Sequence, residues 1–368
     1  MPDFPLARRV IHGAVAARVA PSVAVEIGDS AGVVWREAAG RLTYEPAAPP
    51  ASAETVFDLA SLTKVLATTP VAMRLVDDGR LGLDTRVADV VPDWRGADRA
   101  AVTVADLLAH SSGLPAHTPL YRSCSGRAAF ERALCSEALA YRPQSASVYS
   151  DLGFILLGFL LERVAGEPLD RQFNRLRADV RDAGGQDSRC GPGTPPEIAF
   201  RPPAAWRERM APTRPPTARL GRAHDENAAA LGGIAGHAGL FGTAPAVGCL
   251  ARAMLRTVSS AQGGSTLATD ATAERFVRRA DIPGTSRALG WDTMLPSSSC
   301  GRRMSARAFG HTGFTGTSLW IDPDAGIYLV LLTNRVYPEA GSADGVTALR
   351  RAFHDAVMAE GAFSNPSG

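Results

Sequence analysis

Strand-forming sequence sits at the two ends of this 368-residue chain, and helical sequence fills the middle. Near the N-terminus, Ser22 to Gly28 and Gly32 to Arg36 are rich in valine and broken by a short Asp- and Gly-containing turn, which reads as a hairpin. Near the other end, Thr317 to Asp322 and Ile327 to Thr333 read as a second pair of strands. Isolated hairpins are marginal in water, so the two pairs are expected to join in one mostly antiparallel sheet built from both termini. The intervening segments carry helical spacing: about Ser61 to Asp78, a start at Thr103 or Val104, Asp151 to Val164, and Pro245 to Val258. A last helix covers about Asp344 to Ala359, and the first and last helices are expected to cover the sheet. The fold class is therefore α+β: a sheet flanked by helices, with a mostly helical lobe inserted. One bilobed domain is expected, with an α/β lobe of about 1–85 and 288–368 and a helical lobe of about 86–287.

Lys64 is the only lysine among 39 Lys and Arg residues. Arginine serves charge and solubility equally well, but it cannot release its proton in a protein, whereas a lysine can. Lys64 lies three residues after Ser61, which puts both side chains on one face of the expected helix. Ser61 falls near the helix start, where free N–H groups favour developing negative charge. A serine there is a candidate nucleophile if a neighbour takes its proton. Pro70 lies inside the same helical stretch and is expected to kink it or remove one hydrogen bond.

Two more elements bear on that chemistry. Tyr149-Ser150-Asp151 directly precedes an apolar helix, and a tyrosine beside a lysine can be held as phenolate and act as a base. His311-Thr312-Gly313 precedes Phe314 and a strand, and a small residue there lets a substrate lie along the strand edge. The N–H groups of Phe314 and Ser61 then form a candidate oxyanion hole.

In this order, the three elements resemble the serine β-lactamase and penicillin-binding-protein superfamily, in particular the branch of class C β-lactamases, D-Ala-D-Ala carboxypeptidases and family VIII esterases. Phe57-Asp-Leu-Ala-Ser-Leu-Thr-Lys64 and Leu107-Leu-Ala-His-Ser-Ser-Gly-Leu114 agree with it. The resemblance implies a β-lactamase/transpeptidase-like fold. It implies Ser61 as the acylated nucleophile, Lys64 and Tyr149 as the acid/base pair, and Asp151, His311, Thr312, Gly313 and Phe314 as substrate-binding residues. His110 is read as structural. Two departures stand out. Asp151 replaces an asparagine, loses a donor to a substrate carbonyl and favours a charged Lys64. His311 replaces a lysine and removes a fixed positive charge. Both point away from an efficient β-lactamase and towards an esterase, amidase or peptidase.

His224-Asp225-Glu226-Asn227 and the Gly-rich stretch Leu231 to Phe241 look like a cell-wall-related subgroup that includes muropeptide amidases and carboxypeptidases. His224, Asp225, Glu226 and His237 are metal-ligand types, but their spacing matches no HExxH pattern, so no metal and no cofactor are expected. Gly28-Asp-Ser30-Ala-Gly32 fits a G-x-S-x-G string in a strand-turn-strand setting, where that motif does not work.

The expected substrate is a small ester, amide or peptide. A cell-wall muropeptide amidase or D-Ala-D-Ala carboxypeptidase, weak β-lactamase activity, acyl transfer to another acceptor, and a non-catalytic binding module of the same fold are the alternatives. A net charge of +2 gives no footprint for nucleic acid or an anionic membrane. Five widely spaced cysteines without a CxxC, and no signal-peptide pattern or long apolar run, are expected of a cytoplasmic protein.

Overall fold

A computed structural model describes residues 3–183, 197–215, 220–259, 267–339 and 343–361. Six strands form the main sheet: β1 (Ser22–Asp29), β2 (Val33–Gly40), then, after the two short strands β3 (Phe57–Asp58) and β4 (Ile198–Phe200) and a third, β5 (Leu240–Gly242), come β6 (Asp292–Thr293), β7 (Phe309–Thr312), β8 (Ser318–Asp322) and β9 (Ile327–Thr333). The sheet order is β2-β1-β9-β8-β7-β6, antiparallel throughout. Val23 pairs with Thr333 and Asp29 with Ile327, so strands from the two ends of the chain are neighbours.

The central strands are buried on both faces, and their side chains alternate between two cores. Val23, Val25, Ile27, Trp320, Leu329 and Leu331 meet helices α1 (Pro5–Ala16) and α11 (Ala343–Glu360). Ala24, Leu319, Ile321, Tyr328, Val330 and Leu332 face the other way, into the larger core. Each fully buried aliphatic side chain contributes about 1.5–3 kcal/mol, so burial outweighs intrinsic strand preference, which spans about 1 kcal/mol. Helix α9 (Ala244–Val258) comes from the middle of the chain yet lies on β1 and β9. Gly248 allows that approach, because a Cβ there would fall 1.8 Å from Glu26 Oε1.

The remaining helices are α2 (Thr69–Asp77), α3 (Val87–Val90), α4 (Val104–Leu108), α5 (Arg127–Ser136), α6 (Asp151–Ala165), α7 (Leu169–Ala183), α8 (Glu226–Ala230) and α10 (Asp270–Val277). Thr103 caps α4 through a reciprocal capping box with Asp106. Ser150 caps α6, and Gly166, at φ +74°, ends it. Strands β3, β5 and β4 form a separate small sheet. The stretch from Gly191 to Pro216, expected to be irregular, contains β4 and a 3₁₀ turn at Ala204–Arg209 in its described part; residues 191–196 and 216 lie outside the described residues. Among the described residues, no helix is long and apolar enough to cross a membrane. Cys124, Cys135 and Cys300 are free thiols.

Candidate active site

Ser61 sits just after β3, at the start of the helical stretch that leads into α2. Ala60, just before it, takes φ +48°, a left-handed conformation that strains a residue with a Cβ. Asp58 stabilises the bend by accepting the Ala60 N–H at 2.9 Å, and its other oxygen accepts the His224 N–H at 2.7 Å. Burial raises the Asp58 pKa to about 6, against those two bonds, which lower it.

The helix expected from Ser61 to Asp78 is interrupted. Lys64–Thr68 forms a π turn, with the Thr69 N–H bonded to the Lys64 carbonyl, and α2 begins only afterwards. Pro70 supplies a reason. In an unbroken α-helix its ring would meet the Leu66 carbonyl, and one extra residue in the turn relieves that contact. Pro70 thus falls in the first turn of α2, where its missing N–H is tolerated.

The turn brings Lys64 Nζ to 3.1 Å from Ser61 Oγ, 2.7 Å from Asp151 Oδ1 and 3.2 Å from the His237 carbonyl. The side chain is fully buried. An ammonium has three N–H donors, and three acceptors surround this one. Burial alone lowers the Lys64 pKa, but Asp151 and then Tyr149 more than reverse it, so the net shift is upward and the lysine is charged.

Tyr149 lies beside this cation, with Nζ 4.8 Å from its ring centre. His110 packs on the tyrosine at 4.7 Å, and its Nδ1 accepts the Ser150 N–H at 3.0 Å. His110 thereby fixes the loop that carries Tyr149. Burial raises the Tyr149 pKa and the Lys64 charge only partly offsets it, so the resting phenol keeps its proton. The phenolate suggested by the sequence is not the resting state.

His311, Thr312, Gly313 and Phe314 lie on and after β7. Strand β6 pairs only with Phe309 and Gly310, so His311 and Thr312 project beyond its end. Gly313 packs tightly on the segment leading into Ser61: a Cβ there would be 2.7 Å from the Leu59 carbonyl and 3.3 Å from Ala60 Cβ. Thr315 and Thr317 donate to the carbonyls of Asp58 and Leu59 at 2.7 and 3.1 Å, stapling the turn to β3. Arg350 of α11 donates to the carbonyls of Gly313 and Thr317. Among the described residues, neither the Ser61 N–H nor the Phe314 N–H has an acceptor. Phe314 is 56% exposed, with its ring between His224 and Arg335.

His311 is buried, and its Nδ1 is 2.8 Å from the Thr312 carbonyl. Burial, then the charges of Arg287 and Lys64, hold its pKa well below the ordinary histidine value, so it stays neutral. Arg287 escaped sequence reasoning. Its guanidinium stacks 5.1 Å over the Tyr149 ring and has no hydrogen-bond or ion-pair partner among the described residues. No spacing links residue 287 to residue 149; only the fold does.

The four candidate metal-ligand side chains divide. Asp225 pairs with His237 at 2.8 Å, Glu226 pairs with Arg222 and Arg214, and the His224 ring stacks on Phe314. Among the described residues, no group of three or more such side chains converges. Ser30 lies in the β1–β2 turn, where Asp29 accepts the N–H groups of Ala31 and Gly32, far in character from a strand-to-helix elbow.

A protein of Escherichia coli (strain K12) named "Putative D-alanyl-D-alanine carboxypeptidase" is 30% identical over 320 residues, spanning 80% of this chain and 72% of that protein. A protein of Salmonella agona (strain SL483) with the same name is 31% identical over 320 residues, spanning 77% and 70%. Among solved structures, "EstCE1, a hydrolase with promiscuous acyltransferase activity" superposes with a TM-score of 0.72 at 24% identity, covering 95% of this chain and 98% of that one. A penicillin-binding protein homolog from Caulobacter crescentus gives 0.71 at 22% identity, covering 96% and 97%. These two share the fold. The family model described as beta-lactamase matches residues 7–352, nearly the whole length, and the chain therefore belongs to the beta-lactamase family.

Proposed function

We propose that this serine hydrolase works through an acyl-enzyme on Ser61, cleaving a small ester, amide or peptide. The supporting observation is the contact of Ser61 Oγ with the buried ammonium of the chain's only lysine. Lys64 donates to Ser61 Oγ, so the serine's own proton must point elsewhere, and Tyr149 is the neighbour that can receive it. In the active form the Lys64–Tyr149 pair has lost one proton. Ser61 Oγ then bonds to the substrate carbonyl carbon while its proton passes to the Tyr149 oxygen. The Ser61 and Phe314 N–H groups receive the oxyanion. The bond to the leaving group breaks, and Tyr149 returns the proton to it. Water attacks the ester by the same route in reverse, releasing the acid and Ser61.

A second observation narrows the substrate. Arg287 brings beside Tyr149 a cation that is unpaired among the described residues, while His311 is neutral. That arrangement suits a peptide ending in a carboxylate, in keeping with the carboxypeptidase name of the relatives.

Fluorophosphonate labelling followed by intact mass tests the acyl-enzyme. The wild type is expected to gain one adduct, at Ser61, and Lys64→Arg to label at least 100-fold more slowly, since effects of groups acting on the nucleophile are of that order. Equal labelling of both proteins, or none, sinks the reading. For the substrate, Arg287→Ala is expected to raise KM for a D-Ala-D-Ala peptide about 10-fold or more and leave a neutral acetate ester unaffected. An equal effect on both counts against a carboxylate contact.

A further inference from the structure

We propose that Asp225 and His237 form a positioning pair for Lys64, holding the carbonyl that fixes its ammonium group; the inference rests on the acyl-enzyme reading above. Lys64 Nζ has three acceptors, and two of them, Ser61 Oγ and Asp151 Oδ1, belong to the site itself. The third is the His237 carbonyl, from a different segment. A side chain with four rotatable bonds keeps one direction only if all three acceptors stay in place. The position of that carbonyl is therefore a variable of the site.

Several contacts hold it. Gly236 lies against α6 so closely that a Cβ would fall 2.0 Å from the Phe154 carbonyl. Thr68 donates to the Gly236 carbonyl at 2.6 Å, and the Leu240 N–H bonds to Thr63. The imidazole of His237 is 1% exposed, and among the described residues its Nδ1 has no partner. Its single anchor is Nε2, 2.8 Å from Asp225 Oδ1. Burial pushes the Asp225 pKa up, but His237, the Ala228 N–H and Lys64 together hold it well below the usual carboxylate range. The pair is thus a permanent carboxylate gripping one nitrogen of a buried ring. A ring released from Asp225 would leave two buried nitrogens unpaired and would shift to recover partners, carrying its own carbonyl with it.

An alternative is a satisfied core histidine that only packs. Asp225 Oδ1 also caps α8 through the Ala228 N–H at 2.7 Å, so a truncation there mixes two effects. Two variants separate them. Asp225→Asn keeps both the cap and an acceptor for His237. Asp225→Ser keeps the cap, but its shorter side chain cannot reach the ring.

Two measurements test the pair. In fluorophosphonate labelling, Asp225→Asn is expected within about 3-fold of wild type. Asp225→Ser is expected to lose at least 10-fold in the maximal labelling rate with the probe's half-saturation unchanged, and its alkaline limb should move to lower pH. Both variants remove the Asp225 charge, which acts on Lys64, so that loss is common to them, and the other charged and titratable groups around the ammonium (Tyr149, Asp151, His110, His311 and Arg287) stay the same. The second measurement needs no activity. Protein grown with Nζ-¹⁵N lysine gives one ammonium signal, because Lys64 is the only lysine. Asp225→Ser should shift that signal and speed its proton exchange, while Asp225→Asn should leave both near wild type. A lowered melting temperature with the same signal, exchange and pH profile overturns the pair as a positioning device. Absence of labelling in wild type overturns the acyl-enzyme reading instead, and the ammonium signal still decides the placement of Lys64.

Discussion

Asp58 carries a testable cost at the scale of one residue. Its pKa is about 6 in the folded protein and near 3.8 in the unfolded chain. The native state therefore binds a proton that the unfolded chain has already released between about pH 4 and 6. Stability from this carboxyl is full below pH 4 and declines as pH rises through 6, by roughly 3 kcal/mol in total. Urea unfolding of wild type and Asp58→Asn reads this directly: the wild-type advantage should shrink between pH 4 and 6.5, and a constant difference would contradict it. Asp151 bears on the candidate site rather than on stability. Its charge raises the pKa values of both Lys64 and Tyr149. Asp151→Asn should move the alkaline limb of labelling about one unit lower; an unmoved limb would disconnect Asp151 from the proton machinery. Lys64 was legible because its residue type was singular and its spacing local. Asp58, Arg287 and the Asp225–His237 contact were not, because each depends on neighbours more than ten positions away.

At the scale of elements, the helix starts expected at Thr103 or Val104 and at Asp151 read well from sequence. Thr103, Ser150 and Gly166 mark boundaries through local hydrogen bonds or a single backbone angle. The π turn at Lys64–Thr68 was hidden, although its cause, Pro70, was in view. The choice between a kink and a wider turn is made by what the carbonyls meet in three dimensions. Glycine shows the same division. Gly153 and Gly236 look alike in sequence, yet an added Cβ at Gly153 meets nothing nearer than 3.7 Å. At Gly236 it meets backbone at 2.0 Å. Gly153→Ala should be neutral or stabilise α6 by up to about 1 kcal/mol. Gly236→Ala should cost about 2–3 kcal/mol, because backbone offers no rotamer to retreat into. Equal unfolding midpoints in urea would refute that contrast.

At the scale of the whole molecule, strands at the termini and helices between them were enough to anticipate the α+β architecture. The position of α9 was not, since a helix from mid-chain carries no mark of which layer it will join. The larger core runs without a break from Ala24 through the middle helices to Leu332. We propose that the two lobes unfold together: urea transitions followed by far-UV circular dichroism, tryptophan fluorescence and labelling competence should coincide, and two separated transitions would divide the chain into independent units. The pairing of Val23 with Thr333 has a consequence for synthesis. A ribosome releases Ser61 and Lys64 well before Gly313, Phe314 and the strand that locks β1. A stalled or prematurely terminated chain thus carries Ser61 and Lys64 without the turn that packs on them, and the candidate site is assembled only once that turn and β9 have been made.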